Sequence, residues 1–226
     1  MKIIDLTLTL YDGLISYKTH PAVQIKEQST FEDSKDRYHP PCEGFESRVL
    51  HFSDHSGTHI DAPLHFIREG ESTAEMKLTN TIGEAVLLDV SGLKEPTEPV
   101  TSDMLDKAQQ LQNLYVQKED ILLVKTRNGS WGDASFFEEL AFDKSAAQWI
   151  VEKMVKLVGL DLPNIDIHDN VQRDVHMDVL GNDIYIVENL VNLGSLPKAE
   201  RFQFFALPLK LKDSTASPVR AIAILK

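Results

Sequence analysis

The 226 residues contain a single cysteine, Cys42. No disulfide can form within the chain, so its stability must come from a core, and a reducing compartment suits it. No apolar run approaches the roughly 20 residues of a membrane-spanning helix. The opening Met1-Lys2-Ile3-Ile4-Asp5-Leu6-Thr7 has neither the uninterrupted apolar stretch nor the small-residue cleavage site of a secretion signal. A cytoplasmic protein is the expectation. Basic residues are few, 23 Lys and Arg against 35 Asp and Glu, for a net charge of -12. That balance disfavours a general nucleic-acid or anionic-membrane binder, although charge at a local site can have the opposite sign. Repeats, low-complexity segments and a Gly-x-Ser-x-Gly nucleophile elbow are all absent. What remains, 42% hydrophobic and 26% charged, describes one globular domain over residues 1–226 with a single sizeable core.

The richest stretch is His55-Ser56-Gly57-Thr58-His59-Ile60-Asp61-Ala62-Pro63-Leu64-His65-Phe66. His55, His59, Asp61 and His65 occupy odd positions, which an extended chain points to one face. A straight strand would spread them over roughly 30 Å, so Gly57 and Pro63 are where the chain must bend. A helix is a poor alternative, given Gly, Thr, Ile and an internal Pro. Imidazole and carboxylate are the usual ligands of zinc and its neighbours, and a catalytic site leaves one position open for water.

Around this stretch the chain alternates between strand-like and helix-like patterns. Ile4–Leu10 reads as a half-buried strand ended by Asp12-Gly13, and Ser16–Pro21 as a loop. Residues 26–44 are polar, interrupted by Pro40-Pro41, and read as a long loop with Arg37, Tyr38 and His39 solvated. Glu46–Phe52 reads as a strand leading into the motif, with His51 structural. Ile82–Val90 and Asp120–Thr126 read as buried strands. Thr101 or Ser102 caps a helix to about Leu114 whose inner stripe is Met104, Leu105, Ala108 and Leu111. Ser145–Val158 reads as a helix with Gly159 as its C′ residue, running into a short strand ending at Asp161. Asp169–Leu180 reads as a helix stopped by Gly181-Asn182-Asp183, and Ile184–Glu188 as a returning strand, which can bring His176 near Glu188. Phe204–Leu211 and Arg220–Leu225 read as two strands joined by a turn at Ser214, Ser217 and Pro218.

The His55–Phe66 stretch resembles the signature of the bacterial cyclase family, which includes metal-dependent kynurenine formamidases and the related isatin hydrolases. Glu188-Asn189-Leu190, the Val158-Gly159-Leu160-Asp161 stretch, and the C-terminal Leu207-Pro208-Leu209 and Ser217-Pro218-Val219-Arg220-Ala221 are similar to the family as well. The resemblance implies a mixed α/β domain, a barrel-like mixed or antiparallel sheet flanked by helices (a swivelling β/β/α fold), and a homodimer or homotetramer. It implies two metals per chain, Zn²⁺ or alternatively Mn²⁺. His55, His59, Asp61 and Glu188 would hold the first, and Asp61, His176 and Glu188 the second, with His65 left free as the catalytic acid/base. Tyr17 falls where the family carries a pocket aromatic, although Lys18-Thr19-His20 replaces the family's Pro-Gly-Asp. Arg127 and Trp131 belong to a loop that the family places near the pocket mouth. His168 has no counterpart.

The implied activity is hydrolysis of a carbon–nitrogen bond, N-formylkynurenine to kynurenine and formate in tryptophan catabolism. Two other readings stay open: the same site acting on isatin or another cyclic amide or lactone, and a metal-binding scaffold without catalysis.

Overall fold

The computed structural model describes residues 1–133 and 135–225. The elements in chain order are β1 (Lys2–Asp5), β2 (Gln24–Ser29), α1 (Phe31–Ser34), β3 (Ser47–His51), β4 (His59–Asp61), α2 (Leu78–Thr81), β5 (Ile82–Asp89), α3 (Ser102–Gln112), β6 (Ile121–Lys125), α4 (Lys144–Lys153), β7 (Leu157–Leu160), α5 (Asp174–Leu180), β8 (Tyr185–Glu188), β9 (Phe202–Phe205), β10 (Ala216–Pro218) and β11 (Ile222–Leu225). Among the described residues, nine strands form one mixed sheet in the order β1-β11-β9-β5-β6-β7-β8-β4-β10. The central β5-β6-β7-β8 pairs are parallel, and the flanking pairs are antiparallel.

The central strands are covered on both faces, which is why they read as continuous apolar runs. On β6, Leu122 and Val124 face a core layer shared with Leu105 and Ala108 of α3, Ala146 and Ile150 of α4, and Val175 and Val179 of α5. Ile121 and Leu123 face the other way, into a second layer with Leu87, Val187, Phe204 and Ala223. That second layer joins Ile4 of β1 to Ile60 of β4, the first and eighth strands of the sheet. A flat sheet would hold these strands roughly 34 Å apart at the usual strand spacing. The sheet therefore curls around this layer as a half-barrel, and the expected barrel-like mixed sheet flanked by helices is what forms.

The curl also explains where the first strand departs from expectation. Only Lys2–Asp5 pairs with β11. The chain then crosses the opening, where Thr7 bridges to Leu190 just beyond β8 and the Leu8 N–H donates to Thr58 Oγ1 at 2.8 Å.

Four other expectations need correction. The 26–44 segment is not all loop: β2 pairs with β3 as a separate two-stranded ribbon, so β3 leads into the motif from outside the main sheet. α4 stops at Lys153, where Met154 turns left-handed (φ 53°), and Gly159 lies within β7. A Cβ on Gly159 would come within 2.8 Å of both Leu123 and Leu190, so close strand packing, not a helix cap, requires glycine there. In α3, Leu111 is 69% exposed. The inward place in the last turn belongs to Gln112, whose amide donates to the Leu87 carbonyl (2.6 Å) and accepts from the Asp89 N–H (2.8 Å). Finally, Ala216–Pro218 is a strand and not a turn. It pairs with β4, with Ala216 opposite Asp61 and Pro218 opposite His59, while Leu207 to Leu211 after β9 has no regular structure.

Candidate metal centre

β4 is only three residues long, yet it sets the geometry. His59 and Asp61 point to one side, while Ile60 points into the core and is fully buried. On the neighbouring antiparallel strand, Glu188 stands directly opposite His59, so β8 supplies the second carboxylate to the same face. Gly57 makes the bend before β4. Its φ is +66°, and a Cβ there would lie 2.5 Å from Leu10, so position and conformation both call for glycine. After β4, Pro63 opens a short 3₁₀ turn ending at His65, which folds the last histidine back over the others. α5 brings His176 from the far side.

The expected residues therefore meet. Asp61 Oδ1 lies 3.0 Å from His55 Nδ1 and 3.3 Å from His59 Nε2. Glu188 lies 3.5 Å from His59 Nε2 and 3.7 Å from His176 Nε2. His176 Nε2 is also 3.8 Å from Asp61 Oδ2. The His65 ring centre is 4.1 Å from that of His55 and 5.6 Å from that of His176. Tyr17 lines the same cavity, of about 150 Å³, together with His20, Phe66, Asn164 and Arg173. His168, unplaced from sequence, stands beside Tyr17 with ring centres 6.1 Å apart.

The rings of His59, His176 and His55 are anchored from behind. His59 Nδ1 lies 2.9 Å from the Gly57 carbonyl, which can only accept, so that nitrogen carries the proton and Nε2 keeps its lone pair. His176 Nδ1 lies 2.6 Å from the Asp166 carboxylate, which likewise turns the lone pair of Nε2 inward. Behind His55 the anchor is indirect. Asp54 Oδ2 accepts from the Thr215 hydroxyl and N–H, the Ser214 hydroxyl and the Ala216 N–H. Thr215 thus spends its one hydroxyl proton on Asp54 and accepts from His55 Nε2 at 3.0 Å, leaving the His55 Nδ1 lone pair toward Asp61. Three lone pairs converge on two carboxylates. This arrangement, in which outer hydrogen bonds fix the tautomer of each ligand, is typical of metal-binding histidines.

The inner atoms fit a divalent cation. His59 Nε2 and both oxygens of Asp61 are buried without any hydrogen-bond partner among the described residues, although such groups are costly to leave unsatisfied. Two atom sets there are close enough for an ion: His59, Asp61 and Glu188, and His55, Asp61 and His65. Without a cation, imidazole supplies the positive charge in its place: burial pushes the His59 pKa down, but Asp61 outweighs burial and raises it. Burial pushes the Asp61 carboxyl up, but His55 and His59 outweigh it and hold Asp61 well below the usual carboxylate range. Burial and the Asp61 charge together push Glu188 well above its ordinary value. The second carboxylate resists ionising beside the first unless positive charge is supplied. Burial holds His65 down at about 4, opposed by Asp61 and reinforced by His55 and His176.

A family model described as "Putative cyclase" matches residues 4–167. The chain belongs to the cyclase family. Among relatives of this cyclase-family chain, a kynurenine formamidase of Bacillus cereus is 33% identical over 175 residues, spanning 76% of this chain and 77% of that one. The kynurenine formamidase of Erythrobacter litoralis is 33% identical over 170 residues, spanning 75% and 73%. Isatin hydrolase A from Ralstonia solanacearum superposes with a TM-score of 0.81 at 23% identity, over all of this chain and 92% of that one. An isatin hydrolase bound to the product analogue thioisatinate gives a TM-score of 0.82 at 21% identity, over 99% of this chain and 92% of that one. These two likenesses concern the fold.

Arg127 and Trp131, candidates for the pocket mouth or for plain packing, do not line this cavity. Arg127 is buried and hydrogen-bonds to Asp133 and the Ser130 carbonyl. Trp131 borders a separate cavity of about 300 Å³. Its Nε1 donates to Asn189 Oδ1, and Asn189 Nδ2 donates to the same Gly57 carbonyl that holds His59. His51 and His39 are exposed and apart from the cluster. The residues that sequence reading missed are Asp54, Thr215, Asp166, Asn164 and Arg173. Asp54 adjoins the motif, but its partner is 161 positions away, and no periodicity signals such a pair.

Asp166 does two things at once. It accepts the backbone N–H groups of Val175 and His176, each at 3.1 Å, capping α5 from outside, and it orients the His176 ring. Asp166→Asn should lower metal affinity by about 10- to 100-fold, read by chelator competition, with far-ultraviolet circular dichroism unchanged. The raised Glu188 pKa makes a second prediction for the metal-free chain. A carboxyl that binds its proton more tightly when folded contributes stability at low pH, and loses it as pH rises through the raised pKa. In chelator, the melting temperature of wild type should therefore fall relative to Glu188→Gln as pH climbs above the ordinary glutamate range, and saturating metal should erase the wild-type decline.

Proposed function

We propose that this chain is a metal-dependent hydrolase of carbon–nitrogen amide bonds, with N-formylkynurenine its substrate and kynurenine and formate its products. The observation that carries the reading is the buried Asp61–Glu188 pair ringed by three imidazoles whose lone pairs face inward, with a fourth imidazole, His65, beside them and without such an anchor among the described residues. The similarity to two kynurenine formamidases over about three quarters of each chain supports the substrate.

In this reading His55, His59, Asp61 and Glu188 would hold one ion, and Asp61, His176 and Glu188 would hold a second. Zn²⁺ suits this nitrogen and oxygen set best, and Mn²⁺ is accepted by the same ligands. When bound, the metal supplies Lewis acidity, activating water at neutral pH and stabilising charge that develops on the amide oxygen. The chain's own residues do the rest. The ligands' outer hydrogen bonds hold the rings in place. Tyr17 and Phe66 wall the cavity where an aryl group can stack. His65, neutral at pH 7 because its pKa is held at about 4, takes a proton from the attacking water and passes it to the leaving aniline nitrogen. The proposal extends to a homo-oligomeric assembly and a place in tryptophan catabolism.

A second reading keeps the machinery and changes the substrate to isatin or a related cyclic amide or lactone. Tyr17 and His20, from the segment that departs from the family's Pro-Gly-Asp, both line the cavity, and this favours keeping it. Steady-state comparison of N-formylkynurenine with isatin separates the two, since kcat/KM should favour the true substrate by orders of magnitude. His65→Ala should lower kcat by about 100-fold or more while two metals per chain remain by elemental analysis; loss of metal along with turnover would make His65 a ligand instead.

A further inference from the structure

The geometry points to Arg173 as a specificity-determining residue that binds an anionic group on the substrate, so that the preferred substrates are amides carrying a carboxylate. The inference rests on the amide-hydrolase reading above. The floor of the cavity is fully buried, formed by His59 and Glu188, whereas Tyr17, Asn164 and Arg173 are half-buried and form its outer wall. Arg173 is the only lysine or arginine among the described residues lining this cavity.

Its guanidinium is nearly uncommitted. The one hydrogen bond it makes among the described residues is long, 3.4 Å from Nη1 to Asn164 Oδ1. The nearest carboxylates in sequence are engaged elsewhere: Asp174 faces Lys144 and Asn170, and Asp166 is occupied by His176 and α5. The backbone adds an independent sign. Arg173 has φ 51°, a left-handed conformation that a residue with a side chain adopts only at a cost and that gathers at functional positions. The conformation sits where the chain enters α5, immediately before the element that carries His176.

A guanidinium presents several donors in a fixed plane and binds a carboxylate through two parallel hydrogen bonds. An aryl formamide with its reacting carbonyl at the floor and its ring beside Tyr17 would extend an acidic arm toward this wall. N-formylkynurenine has such an arm. Isatin and formanilide do not, so the residue also discriminates between the two substrate readings.

The test uses the metal-loaded enzyme with N-formylkynurenine and with formanilide, the neutral aryl formamide. Arg173→Asn keeps a residue that tolerates the left-handed backbone, and Arg173→Lys keeps the charge. Arg173→Asn should raise KM for N-formylkynurenine about 10- to 100-fold, the usual effect of losing a charge-assisted hydrogen bond. Its kcat should stay within about threefold, kcat/KM for formanilide should be unchanged, and Arg173→Lys should recover part of the loss. Equal losses on both substrates, or no loss on either, would overturn the inference. If wild type hydrolysed neither amide, the hydrolase reading would fall, and calorimetric binding of kynurenine would still decide the role of Arg173. Binding weakened tenfold or more in Arg173→Asn would support it, and equal or absent binding in both proteins would refute it.

Discussion

Two carboxylates, Asp61 on β4 and Glu188 on β8, are buried on adjacent strands with an oxygen of each within 4.8 Å of the other. Like charges at such a distance, away from water, repel strongly. The neighbourhood is organised around that repulsion. Three imidazoles bring their lone pairs to the carboxylates, and behind each ring stands an acceptor that fixes its proton: the Gly57 carbonyl, Asp166, and Thr215 backed by Asp54. The result is a cluster of bases without enough protons, a set of atoms that a cation would complete.

The fold supplies this pairing through its topology. β8 is the last of the four parallel strands, and β4 is the first antiparallel strand beyond them. Glu188 lies at the carboxyl end of β8, the edge where open α/β sheets place their ligands, and at the boundary where strand direction changes. The curl of the sheet closes the far side, since Thr7 reaches Leu190 and Leu8 reaches Thr58 across the opening. Positions that look remote from the site are thereby joined to it. Trp131 acts on Gly57 through Asn189, which makes it a support of the His59 anchor and not part of the pocket wall.

Local signals were legible where one segment carries the whole pattern. Two-sided burial makes β5, β6 and β8 read as apolar runs, and the stripe on α3 is correct at Leu105 and Ala108. Signals failed where two elements abut or where a partner lies far away. The pattern of α4 ran on into β7 because both bury apolar residues, and only Met154 in its left-handed turn separates them from the helix side. β10 read as a turn because Ser217 and Pro218 are turn formers, yet pairing with β4 overrides that preference.

The candidate site divides along the same line. Residue order alone pointed to a candidate metal site: His55, His59, Asp61 and His65 within eleven residues, bent at Gly57 and Pro63, are a dense set of donors that a short stretch can bring together. How those donors are held, and what lies opposite them, was settled by the packing of distant segments. Asp54 with Thr215, Asp166 with His176, and Arg173 across from Tyr17 arise from strand register and helix placement. Hydrogen bonds between distant segments leave no periodic trace in a chain, because their direction is set by the fold and not by neighbouring residues.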